Sequence, residues 1–110
     1  MNLQKHKPYR NRKMLDAARN MPCIRCGKVG ETRACHYNGP RQHDFGKGRG
    51  QKCSDLMTSE FCDDCDRVFS EGKCVVNAPP IEAKWVRSED FLYWIAMTNI
   101  RRIENGWFTN

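Results

Sequence analysis

Apolar and polar positions along this chain change rhythm several times, and each change marks an element. Met14, Leu15 and Ala18 have helical spacing, which predicts a short amphipathic helix over residues 10–20. Met21-Pro22 ends it, because a residue before proline is pushed out of the helical region. From Val29 to Cys35 the pattern, with Thr32 and Ala34, suits a strand leading to His36. Residues 55–61 suit a second strand running into Cys62, and residues 63–70 a short helix whose acidic first turn complements the positive end of its dipole. Glu71-Gly72-Lys73 breaks that helix, and Asn77-Ala78-Pro79-Pro80 marks a loop. Ser88 then caps a long helix over residues 88–105. Phe91, Trp94, Ile95 and Thr98 share one face of it, and Leu92, Asn99 and Ile103 overlap that face. This stripe reads as core. Arg101 and Arg102 suit the helix's negative end, and Asn105-Gly106 is a stop signal. Residues 38–54, with Asn38-Gly39-Pro40 and glycines at 46, 48 and 50, fit no regular element. A loop of that length inside a small domain is usually functional or disordered.

A chain of 110 residues makes one domain, and with 39% hydrophobic residues its core is thin. Such domains need a staple, either disulfides or a metal. The polar, basic start, Met1-Asn2-Leu3-Gln4-Lys5-His6-Lys7, does not resemble a secretory leader, and no stretch is apolar enough to span a membrane. These features predict a reducing cytoplasm, where paired CxxC sequences favour metal over disulfide. Cys23-Ile24-Arg25-Cys26-Gly27 has the form of a zinc knuckle, and Cys62-Asp63-Asp64-Cys65 supplies a second pair. Four thiolates make a closed site, so the expected Zn²⁺ is structural. Of the seven cysteines, Cys35, Cys53 and Cys74 remain, and the default reading is small buried hydrophobes.

The formal net charge of +6 adds a second theme, attraction to polyanions, of which nucleic acid is the commonest. Lysines and arginines that merely solubilise the surface give the same charge. Residues 1–13 read as a basic arm whose plausible role is non-specific phosphate attraction. The run from Gly46 to Lys52 is not a nucleotide-binding P-loop, since Arg41 stands where its first glycine belongs and Gly48 follows Lys47. Its bare amides can still form an anion-binding nest, with Lys47, Arg49 and Lys52 supplying charge and Arg41 nearby. Among the three histidines, His36 stands out because it follows a strand inside the interval enclosed by the cysteine pairs; His43 is a weaker candidate.

The order CxxC, strand, His, loop, strand, CxxC, helix resembles the zinc-stabilised branch of the HNH, or ββα-metal, endonuclease superfamily. More closely, it is similar to small phage and prophage nuclease-like proteins of the YbcO-like kind. The matching blocks are Arg12-Lys13-Met14-Leu15-Asp16-Ala17-Ala18-Arg19, Cys35-His36-Tyr37-Asn38, the stretch from Gly46-Lys47-Gly48 through Lys52 to Asp55, and Glu104-Asn105-Gly106. The chain departs from the family where a histidine after the last cysteine is replaced by Asp66, and a later aspartate by Ser70. The resemblance implies an α+β fold: a small zinc-stabilised ββα core over residues 14–75, with flanking N- and C-terminal helices. It implies a DNA endonuclease that hydrolyses phosphodiesters with Mg²⁺ or Mn²⁺ in recombination, repair or genome processing. His36 is then the base or a metal ligand, Asp55 and Asp66 are carboxylate ligands, and Asn38 orients His36 or the substrate. Lys47, Arg49, Lys52 and Arg41 hold flanking phosphates. DNA is the expected partner, alongside phage or host recombination proteins. The rival expectation is a catalytically degenerate zinc-containing DNA-binding or adaptor protein, which Asp66 and Ser70 favour; a weaker third is a phage modulator that binds a host protein.

Overall fold

The structure is a computed structural model that describes residues 8–70 and 80–108. Its elements are α1 (Arg12–Ala17, continued by one tight 3-10 turn at Ala18–Asn20), β1 (Arg33–His36), β2 (Thr58–Phe61), α2 (Asp63–Ser70) and α3 (Pro80–Glu104). The expected order of helix, strand, strand, helix and long helix is present, so the chain is an α+β domain. The two strands pair antiparallel, with Arg33 opposite Phe61 and His36 opposite Thr58. The Glu71–Lys73 breaker, most of the proline-rich loop, Cys74 and the first seven residues of the basic arm lie outside the described residues.

All four β2 residues are buried, although three are polar. Each has a partner, as burial of a polar group requires. The Thr58 hydroxyl donates to the Asp55 carbonyl and accepts from buried Arg102, at 2.7 Å each. The Thr98 hydroxyl meets Ser59 and accepts the Glu60 amide. The Glu60 carboxylate takes two bonds from Arg101, the shorter 2.7 Å. These pairs fix α3 across β2 in register, which an apolar contact alone would not do. The apolar core lies beside them. Phe61 and Phe69 stack with centroids 5.0 Å apart, Phe91 packs against both, and Tyr37 meets Phe91 edge-on. The predicted α3 stripe is thus core at Phe91, Ile95 and Thr98, whereas Ile103 is exposed.

Two elements differ from the sequence expectation. The long helix begins at Pro80 and not at Ser88. Proline fits a helix's first turn, where its missing N–H costs nothing. Ser88 lies inside α3, buried, with its hydroxyl hydrogen-bonded to the Tyr37 hydroxyl. The cap-like local sequence is overridden because this tertiary partner satisfies the side chain. The glycine-rich interval is also more ordered than expected. Gln42–Phe45 forms a 3-10 turn, and Gly48 bridges Gln51. Phe45 packs edge-on against Tyr37, and a Cβ at Gly39 would collide with the Tyr37 ring. Among the described residues, no helix is long and apolar enough to cross a membrane.

Candidate functional site

Two constellations carry chemistry. The first is the cysteine cluster. The chain turns tightly after Cys23, with the Gly27 amide donating to the Cys23 carbonyl (2.9 Å) and the Cys23 amide to the Lys28 carbonyl (2.8 Å). Gly27 adopts φ +83°, a conformation that glycine reaches without strain. Cys62 and Cys65 come from the start of α2. The sulfurs of Cys23, Cys26, Cys62 and Cys65 all lie within 4.8 Å of one another, and those of Cys26 and Cys62 are 3.6 Å apart. A tetrahedron with metal–sulfur bonds of about 2.3 Å has edges of about 3.8 Å, so the spacing fits one metal ion. Burial raises the Cys23 thiol, but amides of Cys62, Cys26 and Arg25 outweigh it and bring it down to about 7. Cys65 is pushed up to about 12, first by burial, although the Arg25 guanidinium sits 3.4 Å from its sulfur. A bound dication is what would make four neighbouring thiolates compatible. Cys35 and Cys53 are buried outside this cluster, as expected for small hydrophobes. The Cys53 thiol donates to the Tyr37 carbonyl.

The second constellation surrounds His36, the last residue of β1. Its Nε2 is 2.9 Å from Oδ1 of Asp55, which is buried. Asp55 also accepts the Asn11 amide at 2.7 Å on Oδ2 and the Arg10 guanidinium at 3.1 Å on Oδ1. Arg10 donates further to the carbonyls of Cys53 and Lys52, and the Asp55 amide donates to the Tyr9 carbonyl. The end of the basic arm is thus not a solvated tail. It is docked on residues 52–55. Burial raises the Asp55 carboxyl, but the Asn11 amide, His36 and Arg10 together hold it below its ordinary value. Burial lowers the His36 imidazole, and Lys52 and Arg10 add to this against the opposing pull of Asp55. At neutral pH the pair is therefore carboxylate and neutral imidazole, with Nε2–H donating to Asp55 and Nδ1 keeping its lone pair. In a proton NMR titration, the His36 midpoint is expected below 6.5. Asp55→Asn removes a contribution that raises it, so the midpoint falls further; a rise on that substitution contradicts the assignment.

His36 and Lys52 border three adjoining concavities. One, of about 560 Å³, is lined also by Arg10, Arg12 and Asp55. A second, of about 430 Å³, is lined also by Asn38, Lys47 and Asp66. A third lies between α1 and β1. The structure therefore brings together His36, Asn38, Asp55, Asp66, Lys47 and Lys52 around one region. Arg49 and Arg41 border none of these concavities, and Arg41 lies over the Trp85 ring at 5.3 Å. His43 is exposed, with Nδ1 near the Lys47 carbonyl.

Asp66 has a partner that the sequence did not announce. Arg33 forks onto Asp66 at 2.7 Å and Asp63 at 2.8 Å. The hydroxyl of Ser70, the last residue of α2, turns back to the Asp66 carbonyl four positions earlier. Arg33 and Arg10 escaped the sequence reading because nothing in local spacing links them to carboxylates 33 and 45 positions away. The fold and site define a small α+β domain with a cluster of four cysteines spaced to hold a metal ion and a histidine–carboxylate pair set among cations. No protein-family model, curated protein or solved structure matches this chain.

Proposed function

We propose that this chain is a zinc-stabilised DNA endonuclease of the HNH, or ββα-metal, class, with Zn²⁺ on Cys23, Cys26, Cys62 and Cys65. The observation that carries the reading is the neutral His36, oriented by buried Asp55 and bordered by Lys52, Lys47 and Arg10. His36 takes a proton from the attacking water through Nδ1, and Asp55 fixes the tautomer that leaves Nδ1 free. The same bond would orient His36 as a metal ligand through Nδ1, the alternative to the base role. Lys47 and Lys52 hold the phosphates beside the cut, and Asn38 orients the substrate.

Among the described residues, only the four cysteines gather three or more ligating groups. For Mg²⁺ or Mn²⁺ the chain offers the Asp66 carboxylate beside His36. A single carboxylate suffices when substrate phosphate and water complete the shell. Such an ion supplies charge stabilisation for the leaving oxygen. By its resemblance to phage and prophage proteins, the chain acts on DNA in the bacterial cytoplasm, in recombination, repair or genome processing.

The Arg33 clamp supports a second reading. With Asp66 already paired to Arg33 and the Ser70 hydroxyl bonded to its own helix, the chain is a DNA-binding or adaptor protein without the chemistry. The two readings separate when zinc-loaded protein is incubated with supercoiled, branched and single-stranded DNA and Mg²⁺ or Mn²⁺. Nicking or linearisation supports the nuclease. Salt-sensitive binding with no cleavage under either ion supports the adaptor.

A further inference from the structure

We propose that α1 forms a second wall of a nucleic-acid groove, so that one strand enters on one side of His36 and leaves on the other. The inference rests on the nucleic-acid reading above but not on catalysis. The sequence assigned specific phosphate contacts to Arg41 and the glycine-rich loop, and to the arm over residues 1–13, Arg12 included, only a non-specific attraction. The structure adds an adjoining concavity against α1 that Lys47 does not line. Arg12 and Arg19, seven positions apart on α1 and its continuing turn, line the concavity that His36 and Lys52 also border. Arg12 further lines the larger concavity with Arg10 and Lys52. Both α1 arginines are exposed, and neither is held by a buried acid. Arg12 has one carboxylate near it, Asp16 at 3.5 Å; the two side chains are 88% and 57% exposed, so the pair is weak and a phosphate can replace the carboxylate.

The other charges on this surface are accounted for. Arg33 faces the same concavity but is committed to Asp63 and Asp66, and Arg10 to Asp55. The available cations are therefore Arg12 and Arg19 on one side, Lys47 on the other, and Lys52 at the divide. A terminal phosphate needs one such cluster. Cations on both flanks of His36 suit a continuous phosphodiester chain, so the substrate class is the interior of a strand. α1 is attached through buried Met14 and Ala18, not through its arginines, so its cationic face can change without loss of the fold.

The test is binding of the full chain to labelled single-stranded DNA across a potassium chloride series, without divalent ions. Each lost phosphate contact lowers the slope of log affinity against log salt by about 0.7 on single strands. Arg12→Ala with Arg19→Ala is expected to reduce the slope by about 1.4, with an unchanged melting temperature. Lys47→Ala is expected to reduce it by about 0.7 independently. A double variant with the parent's slope and affinity overturns the second wall while leaving DNA binding intact. A parent chain that binds no DNA overturns the nucleic-acid reading as well. Equal binding of polyglutamate would also overturn the proposal, because it would show a surface that selects charge and not a strand.

Discussion

Cys62→Ser is expected to leave the domain unfolded even with zinc in excess. The serine hydroxyl does not ionise near neutrality, so the cluster keeps three thiolates and an open position. Structural zinc contributes roughly 10–16 kcal/mol of apparent folding free energy in small zinc-binding peptides. A whole domain is stable by only about 5–15 kcal/mol, so weakening this one site outweighs the remainder. The dependence is acute here because Cys62 joins β2 to α2, and the Phe61–Phe69 stack spans the same junction. The measurements are zinc content per chain and thermal unfolding followed by circular dichroism. Cys53→Ser is the control: it alters a buried thiol outside the cluster and should retain about one zinc per chain. A Cys62→Ser protein that melts at the parent's temperature would refute the structural role of the cluster.

The second large effect concerns chemistry. His36→Ala is expected to lower DNA cleavage by about 10²- to 10⁴-fold, the range for loss of a general base. Binding of DNA in the absence of divalent ions should change little, since the proposed phosphate contacts are lysines and arginines. The fold should survive, because Asp55 keeps its bonds to Arg10 and the Asn11 amide and is not left as an unpaired buried charge. The pH profile provides a further check. Burial lowers the His36 pKa, so its neutral, proton-accepting form persists to more acid pH than a free imidazole's. Parent activity should therefore hold down to pH values below 6.5 and fall only beneath that. Equal cleavage by parent and variant would remove His36 from the mechanism.

What the sequence made legible was local. Two CxxC turns announce a metal-ligating cluster because the spacing itself builds the geometry. The strands and α2 could be placed because they abut those turns. His36 could be singled out because β1 ends on it. The partners of these residues were not legible. Asp55 was expected as a metal ligand, and the structure places it beneath His36 with both oxygens engaged. That arrangement depends on a loop of 19 positions closing and on Arg10 arriving from the other end of the chain. Ser88 shows the opposite failure: its local sequence is a sound cap, but a hydroxyl from Tyr37 competes successfully for it. Periodicity describes which face a residue occupies. It does not describe which buried polar group will claim it.

The docking of Tyr9, Arg10 and Asn11 onto residues 52–55 has a practical consequence for anyone handling this protein. The orientation of His36 depends on Arg10 and Asn11, which reach Asp55 from 45 and 44 positions away. A bulky affinity tag that pulls this segment away would take Arg10 and the Asn11 amide from buried Asp55, and so lower the melting temperature as well as misalign the imidazole. Tags for this chain belong at the carboxyl end.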